Sequence, residues 1–266
     1  MEKLIGDIKS GSKIKIKIKN VIIGDNKRVI ISGPCTIENY DIMLSIGKKL
    51  KDIGVDILRG GAFKPRTSPY TFQGLQWEGL KILKSVGEQL NMPVVTEIMD
   101  TRDVEKSLDY TNIIQIGSRN MYNYNLLKEV GKTKLPIILK RGMSASISEW
   151  IYAAEYIMAE GNLNVILCER GIRTFESYTR NTLDLNSVAV IKQKYRMPII
   201  VDTSHGTGLR ELVPNMSLAA VAAGADGIMI ESHINPEDSI SDARQTVSID
   251  TVKKIKENIE KLEKIL

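Results

Sequence analysis

Pro136-Ile137-Ile138-Leu139-Lys140-Arg141-Gly142 is a short, unbroken apolar run that ends in two cations and a glycine. A strand covered on both faces reads this way, because neither side of it meets water. The same form recurs at Arg28 to Ser32, Val55 to Leu58, Pro93 to Glu97, Ile113 to Ile116, Asn164 to Cys168, Pro198 to Val201 and Gly227 to Ile230. Helical spacing fills the intervals. Ile42, Met43, Ile46, Leu50 and Ile53 make one apolar stripe, and Leu80, Leu83, Val86 and Leu90 a second. Leu185, Val188, Ile191 and Tyr195 make a third, and Val252, Ile255, Ile259, Leu262 and Leu266 a last one. Ser146-Ile147-Ser148-Glu149 has the spacing of a capping box and opens the helix around Trp150 to Glu160. Asn91-Met92-Pro93 and Arg196-Met197-Pro198 mark returns from helix to strand, since proline cannot continue a helix.

Eight strand-and-helix units in about 240 residues match a (β/α)8 barrel in number and length. The competing architecture is a doubly wound open sheet. It usually carries fewer units and a glycine fingerprint after its first strand, where this chain has Ser32-Gly33-Pro34-Cys35 instead. Ahead of the units, Lys13-Ile14-Lys15-Ile16-Lys17-Ile18-Lys19 alternates with period two, which predicts a strand with a wet lysine face and a buried isoleucine face. Asn20 to Asp25 would turn it back as a hairpin. The isoleucines would close the barrel floor or meet another subunit. The expected organisation is therefore an N-terminal β-hairpin extension over residues 1–25 and a catalytic barrel over 26–266.

Composition narrows the class. With 266 residues, 42% hydrophobic and 26% charged, the chain is long enough for one large domain and is neither disordered, collagen-like nor disulfide-stapled. No apolar run approaches the roughly 20 residues of a membrane span, and Met1 to Asp7 lacks the order of a secretory signal. Two cysteines, Cys35 and Cys168, suit a reducing compartment, so the expectation is a cytoplasmic protein with neither membrane nor nucleic-acid partners. The lysine strand has no interleaved aromatics of the kind that stack on bases. The net charge of +5 is mild.

In a barrel the active site sits where the strands end, and the polar residues of this sequence gather there. Arg59, Lys64, Arg66, Arg119, Lys140 and Arg170 all follow strand ends closely. Singly, each reads as a surface ion-pair residue. As a set placed by topology, they read as a cradle for a ligand with several phosphate or carboxylate groups, which arginine forks match bidentately. A second group, Cys35, His205, Glu231 and Asp242, has no local metal motif but comes from strands one, seven and eight, which are neighbours in a closed ring. Thiolate and imidazole favour a divalent ion of the Mn, Fe, Co or Zn kind. Glu97 and Asp202 are candidates to orient water or a histidine, and Lys64 to donate a proton. Cys168 reads as a core thiol and His233 as a hydrogen-bonding residue of the rim.

Four segments together resemble a known family. They are Gly33-Pro34-Cys35-Thr36-Ile37-Glu38, Arg59-Gly60-Gly61-Ala62-Phe63-Lys64-Pro65-Arg66-Thr67-Ser68, Ile116-Gly117-Ser118-Arg119-Asn120 and Asp202-Thr203-Ser204-His205-Gly206-Thr207-Gly208. From about Arg28 to the C-terminus the chain is similar to 3-deoxy-D-arabino-heptulosonate 7-phosphate (DAHP) synthases, in the short type I branch related to 3-deoxy-D-manno-octulosonate 8-phosphate synthases. The resemblance implies a barrel that condenses phosphoenolpyruvate with erythrose 4-phosphate at the entry to the shikimate pathway, using one divalent metal. It implies Cys35, His205, Glu231 and Asp242 as metal ligands and Arg59, Lys64, Arg119, Lys140 and Arg170 on phosphoenolpyruvate. It places Lys64, Pro65, Arg66 and Thr67 on erythrose 4-phosphate, in the version of the loop that distinguishes this activity from octulosonate synthesis. It also implies a dimer or tetramer. Ser241-Asp242-Ala243-Arg244-Gln245 departs from the family's usual Ser-Asp-Gly, which keeps the ligand and alters its loop. Neither a regulatory domain nor a fused mutase is visible, so no feedback inhibition by phenylalanine or tyrosine through such a domain is expected. The alternatives are octulosonate 8-phosphate synthesis from arabinose 5-phosphate, or a non-catalytic paralogue that binds phosphate ligands.

Overall fold

The computed structural model describes residues 4–6, 11–65 and 68–266. A hairpin comes first, with β1 (Ile16–Ile18) antiparallel to β2 (Val21–Ile23). The turn is tighter than the sequence suggested. Val21 to Ile23 form the return strand itself, and the chain reverses at Lys19 and Asn20, with Lys19 at φ 51°. Then come β3 (Val29–Gly33), α1 (Tyr40–Asp52), β4 (Ile57–Arg59), α2 (Gln76–Gln89), β5 (Val94–Glu97) and α3 (Thr101–Ser107). β6 (Ile113–Ile116), α4 (Tyr124–Gly131), β7 (Ile137–Lys140), α5 (Ile147–Met158), β8 (Val165–Glu169) and α6 (Leu185–Lys194) follow. The chain ends with β9 (Ile199–Asp202), the one-turn α7 (Thr203–Thr207), α8 (Val213–Ala222), β10 (Gly227–His233), the short β11 (Val247–Ser248) and α9 (Ile249–Leu262).

The strands from β3 to β10 pair in parallel in chain order, and β10 pairs with both β9 and β3, which closes the ring. Most helices begin at a side-chain cap, α2 and α8 being the exceptions. Asn39 caps α1 by accepting from the Ile42 N–H at 2.9 Å, and Lys49 and Lys51 occupy its last turn, where the helix dipole favours cations. The capping box at Ser146 and Glu149 forms with both of its bonds. Among the described residues no helix is long and apolar enough to cross a membrane.

Period two along the strands sorts the core into two layers. Ile30, Leu58, Val94, Ile114, Leu139 and Val201 face out and pack against the helices. Val29, Ile31, Ile57, Val95, Ile113, Ile138, Ile166, Cys168, Ile200 and Met229 face in and fill the lower half of the barrel. Ile16, Ile18, Val21 and Ile23 of the hairpin join that inner cluster from below, while Lys13, Lys15, Lys17 and Lys19 are exposed. The isoleucine face therefore closes the floor of the barrel.

Candidate active site

The alternation that fills the floor also builds the mouth. On six strands the inward position two residues beyond the last inward apolar residue is polar: Ile57 leads to Arg59, Val95 to Glu97, Ile138 to Lys140, Cys168 to Arg170, Ile200 to Asp202 and Met229 to Glu231. The intervening residues face the helices. Arg141 is one of these. It bonds Glu169 at 3.1 Å and Asp184 at 2.7 Å outside the ring, and its guanidinium lies over the Trp150 ring.

A cavity of about 300 Å³ opens at the C-terminal rim. Lys64, Pro65, Glu97, Arg119, Lys140, Arg170, His205 and Asp242 line it, together with Arg173, Arg180 and Asn181 from the long segment after β8. Arg66 and Thr67, expected at the sugar phosphate, lie outside the described residues. Arg59 sits beneath the large cavity, 6% exposed, and lines a small adjoining one with Lys64 and Glu97. Among the described residues, the Arg119 and Arg173 side chains have neither a hydrogen bond nor an ion pair, and Arg170 donates only to the Gly171 carbonyl at 3.2 Å. Burial, and after it the neighbouring Arg180, pushes the Arg170 guanidinium below its ordinary value against the pull of Asp202. Such unpaired, crowded cations suit an anionic guest. Glu97 accepts from Gln115 at 3.2 Å, and Gly117 makes room for it: a Cβ there would lie 2.1 Å from the carboxylate.

The second group converges beside this cavity. Ligand atoms of Cys35, Glu231 and Asp242 lie within 4.8 Å of one another. Cys35 Sγ is 3.3 Å from Asp242 Oδ2, and His205 Nε2 is 3.9 Å from the same oxygen and 3.5 Å from Glu231 Oε1. Sulfur and imidazole thus meet across a shared carboxylate, although 170 positions separate residues 35 and 205 in the chain. Asp202 explains the ring's orientation. It caps α7 by accepting from the His205 N–H at 3.0 Å, holds His205 Nδ1 at 2.8 Å and pairs with the Lys140 ammonium. With Nδ1–H donated to Asp202, the Nε2 lone pair faces the cluster. Burial holds His205 below its ordinary value despite Asp202, which keeps the imidazole neutral. Burial would raise Asp202, yet His205 and Lys140 keep it well below the usual carboxylate range.

Charges around the thiol are equally ordered. Burial, reinforced by Glu231, pushes Cys35 up to about 11, and Lys64 donates to its sulfur at 2.9 Å. Burial works against the Lys64 ammonium, but Cys35 and Glu231 raise it, so it remains a proton donor. Glu231 is fully buried, yet the charges around it, Arg59 and Lys64 among them, hold it below the carboxylate range. Arg59 Nη1 donates to its Oε1 at 2.8 Å. One thiol and two carboxylates close together, with a neutral imidazole against both carboxylates, form a donor set that fits a divalent transition ion. Cys168 lies in the apolar floor and His233 hydrogen-bonds the Asn235 backbone, as a core thiol and a rim histidine should.

Sequence reasoning missed Arg173, Arg180 and Gln245. The first two follow β8 by several residues, in a stretch without strand or helix period. Gln245 follows Asp242 by three positions and buries its amide against Glu231.

The match to the DAHP synthetase I family extends over residues 13–266 and so includes the hairpin. The chain belongs to that family. A phospho-2-dehydro-3-deoxyheptonate aldolase of Thermotoga maritima is 45% identical over 247 residues, covering 93% of this chain and 73% of the relative. The crystal structure of phospho-2-dehydro-3-deoxyheptonate aldolase (DAHP synthase) from Thermotoga maritima superposes with a TM-score of 0.96 at 42% identity, over 99% of this chain and 77% of that one. A 2-dehydro-3-deoxyphosphooctonate aldolase of Syntrophotalea carbinolica is more distant, at 31% identity over 90% of this chain and 92% of the relative.

Proposed function

We infer that this chain condenses phosphoenolpyruvate with erythrose 4-phosphate and water to give 3-deoxy-D-arabino-heptulosonate 7-phosphate and phosphate, the first step of the shikimate pathway. The observation that carries this reading is the cation-lined cavity sharing one rim with the thiol–imidazole–dicarboxylate cluster. The aldose is chosen by the Lys64-Pro65-Arg66-Thr67 loop and by the higher identity to the heptonate enzyme than to the octonate enzyme.

The residues have distinct tasks. Lys64, Arg119, Lys140 and Arg170, with Arg59 below, hold the phosphate and carboxylate of phosphoenolpyruvate and offset their repulsion. The enol C3 attacks the aldehyde carbon, whose oxygen gains charge, and the Lys64 ammonium is placed to give that oxygen a proton. C2 becomes electron-poor and takes water, after which the C2–O bond to phosphate breaks. Glu97, on the cavity wall, is the carboxylate placed to orient that water. Cys35, His205, Glu231 and Asp242 would hold the divalent ion, Asp202 fixing the His205 tautomer. Bound there, such an ion would supply Lewis-acid polarisation of the carbonyl. On the same reading the protein works in the cytoplasm as a homo-oligomer, a role for which the exposed Tyr124 and Tyr156, stacked on each other across α4 and α5, offer apolar surface.

Cys35→Ala tests the site. Metal content by elemental analysis and turnover should fall together while circular dichroism stays that of the folded barrel. Full turnover in the variant refutes the ligand assignment.

A further inference from the structure

From the segment between β8 and α6, Arg180 reaches the carboxylates of the metal cluster. Its backbone N–H donates to the Thr207 carbonyl at 3.0 Å. Its stem packs over Gly208, which has φ 70° and no room for a side chain: a Cβ there would lie 2.3 Å from Arg180 Cβ. The stem is therefore fixed against the end of α7, the helix that carries His205. From this anchor Arg180 Nη1 donates to Gln245 Oε1 at 2.9 Å and lies 3.4 Å from Asp242 Oδ1. Gln245, 2% exposed, donates its Nε2 to Glu231 Oε2 at 2.6 Å.

Donor and acceptor chemistry makes this chain directional. A guanidinium only donates and an ionised carboxylate only accepts, so an amide between them fits in one orientation, oxygen to Arg180 and nitrogen to Glu231. Both carboxylates are then held from behind. Asp242 keeps Oδ2 towards Cys35 and His205, and Glu231 keeps Oε1 towards His205.

We propose that Arg180 is a positioning residue for the metal centre, holding Asp242 directly and Glu231 through Gln245 so that each presents a single oxygen. This role rests on the metal-centre reading above. Its sign separates it from plain electrostatics. Removing a nearby cation should by charge alone strengthen binding of a metal ion, whereas removing a positioning group weakens it. Outer partners of this kind typically contribute about 10–100-fold in metal affinity. The Arg180 side chain is 45% exposed, so its loss leaves the core intact.

The test titrates metal-free full-length protein with Co²⁺, following the thiolate-to-cobalt absorption band and the heat of binding. Wild type should show the band. Arg180→Ala should bind about 10–100-fold more weakly, Gln245→Leu comparably, and the double variant no worse than the weaker single one, because the two act as one unit. Arg244→Ala, which removes an exposed cation from the same loop, should leave affinity unchanged or raised. Arg180→Ala binding as tightly as wild type, or more tightly, overturns the proposal. A wild-type protein without any thiolate band overturns the underlying ligand assignment instead, so the two failures are distinguishable.

Discussion

Lys140 and Arg141 are adjacent cations with unrelated work. Lys140 faces into the ring and pairs with Asp202, while Arg141 faces the helices and holds the buried Glu169. Glu169 in turn accepts from the Gly171 N–H at 2.6 Å, which fixes the start of the segment bearing Arg173 and Arg180. Burial raises Glu169 despite Arg141, so the pair is costly to break. Arg141→Met should lower stability by about 3–5 kcal/mol in urea unfolding, the usual cost of leaving one buried partner alone. Arg119→Ala should instead leave stability unchanged and reduce kcat/KM for phosphoenolpyruvate about 10–100-fold, from the loss of about 1.5–3 kcal/mol of charge-assisted bonding. Equal effects of the two variants on both measurements would contradict their assignment to opposite faces. Cys168 gives a pH signature. Burial pushes its thiol up to about 12, whereas an unfolded chain releases that proton near 8.5. The unfolded state therefore loses its proton first, and alkali pulls the equilibrium towards it. The contribution is fully present below about pH 8.5 and is lost as pH rises towards 12, with a slope of up to about 1.4 kcal/mol per pH unit. Wild type minus Cys168→Ala, unfolded in urea between pH 8 and 10.5, should show that slope. A difference independent of pH would place the thiol in contact with solvent.

At the scale of elements, what could be read in advance follows from periodicity. The apolar runs at Pro136 to Lys140 and Pro198 to Val201 show their strands because period two, cover on both faces and a polar end leave one interpretation. Cys35, Asp202 and Glu231 could be placed at the rim for the same reason. Arg180 could not, since it reaches the cluster from a long segment without a repeat, and its partner Gly208 matters only through a contact no spacing encodes. The hairpin was legible as a two-faced strand, but whether its isoleucines met the barrel or another copy was not, because burial looks alike from either source. The structure puts Ile16 and Ile23 in the barrel floor at 1% and 0% exposure. Ile16→Ala and Ile23→Ala should each cost about 2–5 kcal/mol in urea unfolding, as for other large-to-small changes in a core. Costs under about 0.5 kcal/mol, typical of surface sites, would mean that the hairpin does not plug the floor.

For the whole molecule, ring closure is the decisive event. The pairing of β10 with β3 brings Glu231 opposite Gly33 and so carries the end of the chain to its beginning. A thiol and two acids from distant segments then lie within 4.8 Å of one another, with an imidazole against the two acids, beside a cavity lined by cations. The chemistry this permits is the joining of a dianionic enol phosphate to a phosphorylated aldehyde. The most direct measurement is the loss of phosphoenolpyruvate ultraviolet absorbance with purified full-length protein, run with erythrose 4-phosphate and with arabinose 5-phosphate across Mn²⁺, Fe²⁺, Co²⁺ and Zn²⁺. Metal-dependent consumption with erythrose 4-phosphate, abolished by chelator and far slower with arabinose 5-phosphate, is the expected result. No consumption with any of the four metals, or a preference for arabinose 5-phosphate, would contradict it.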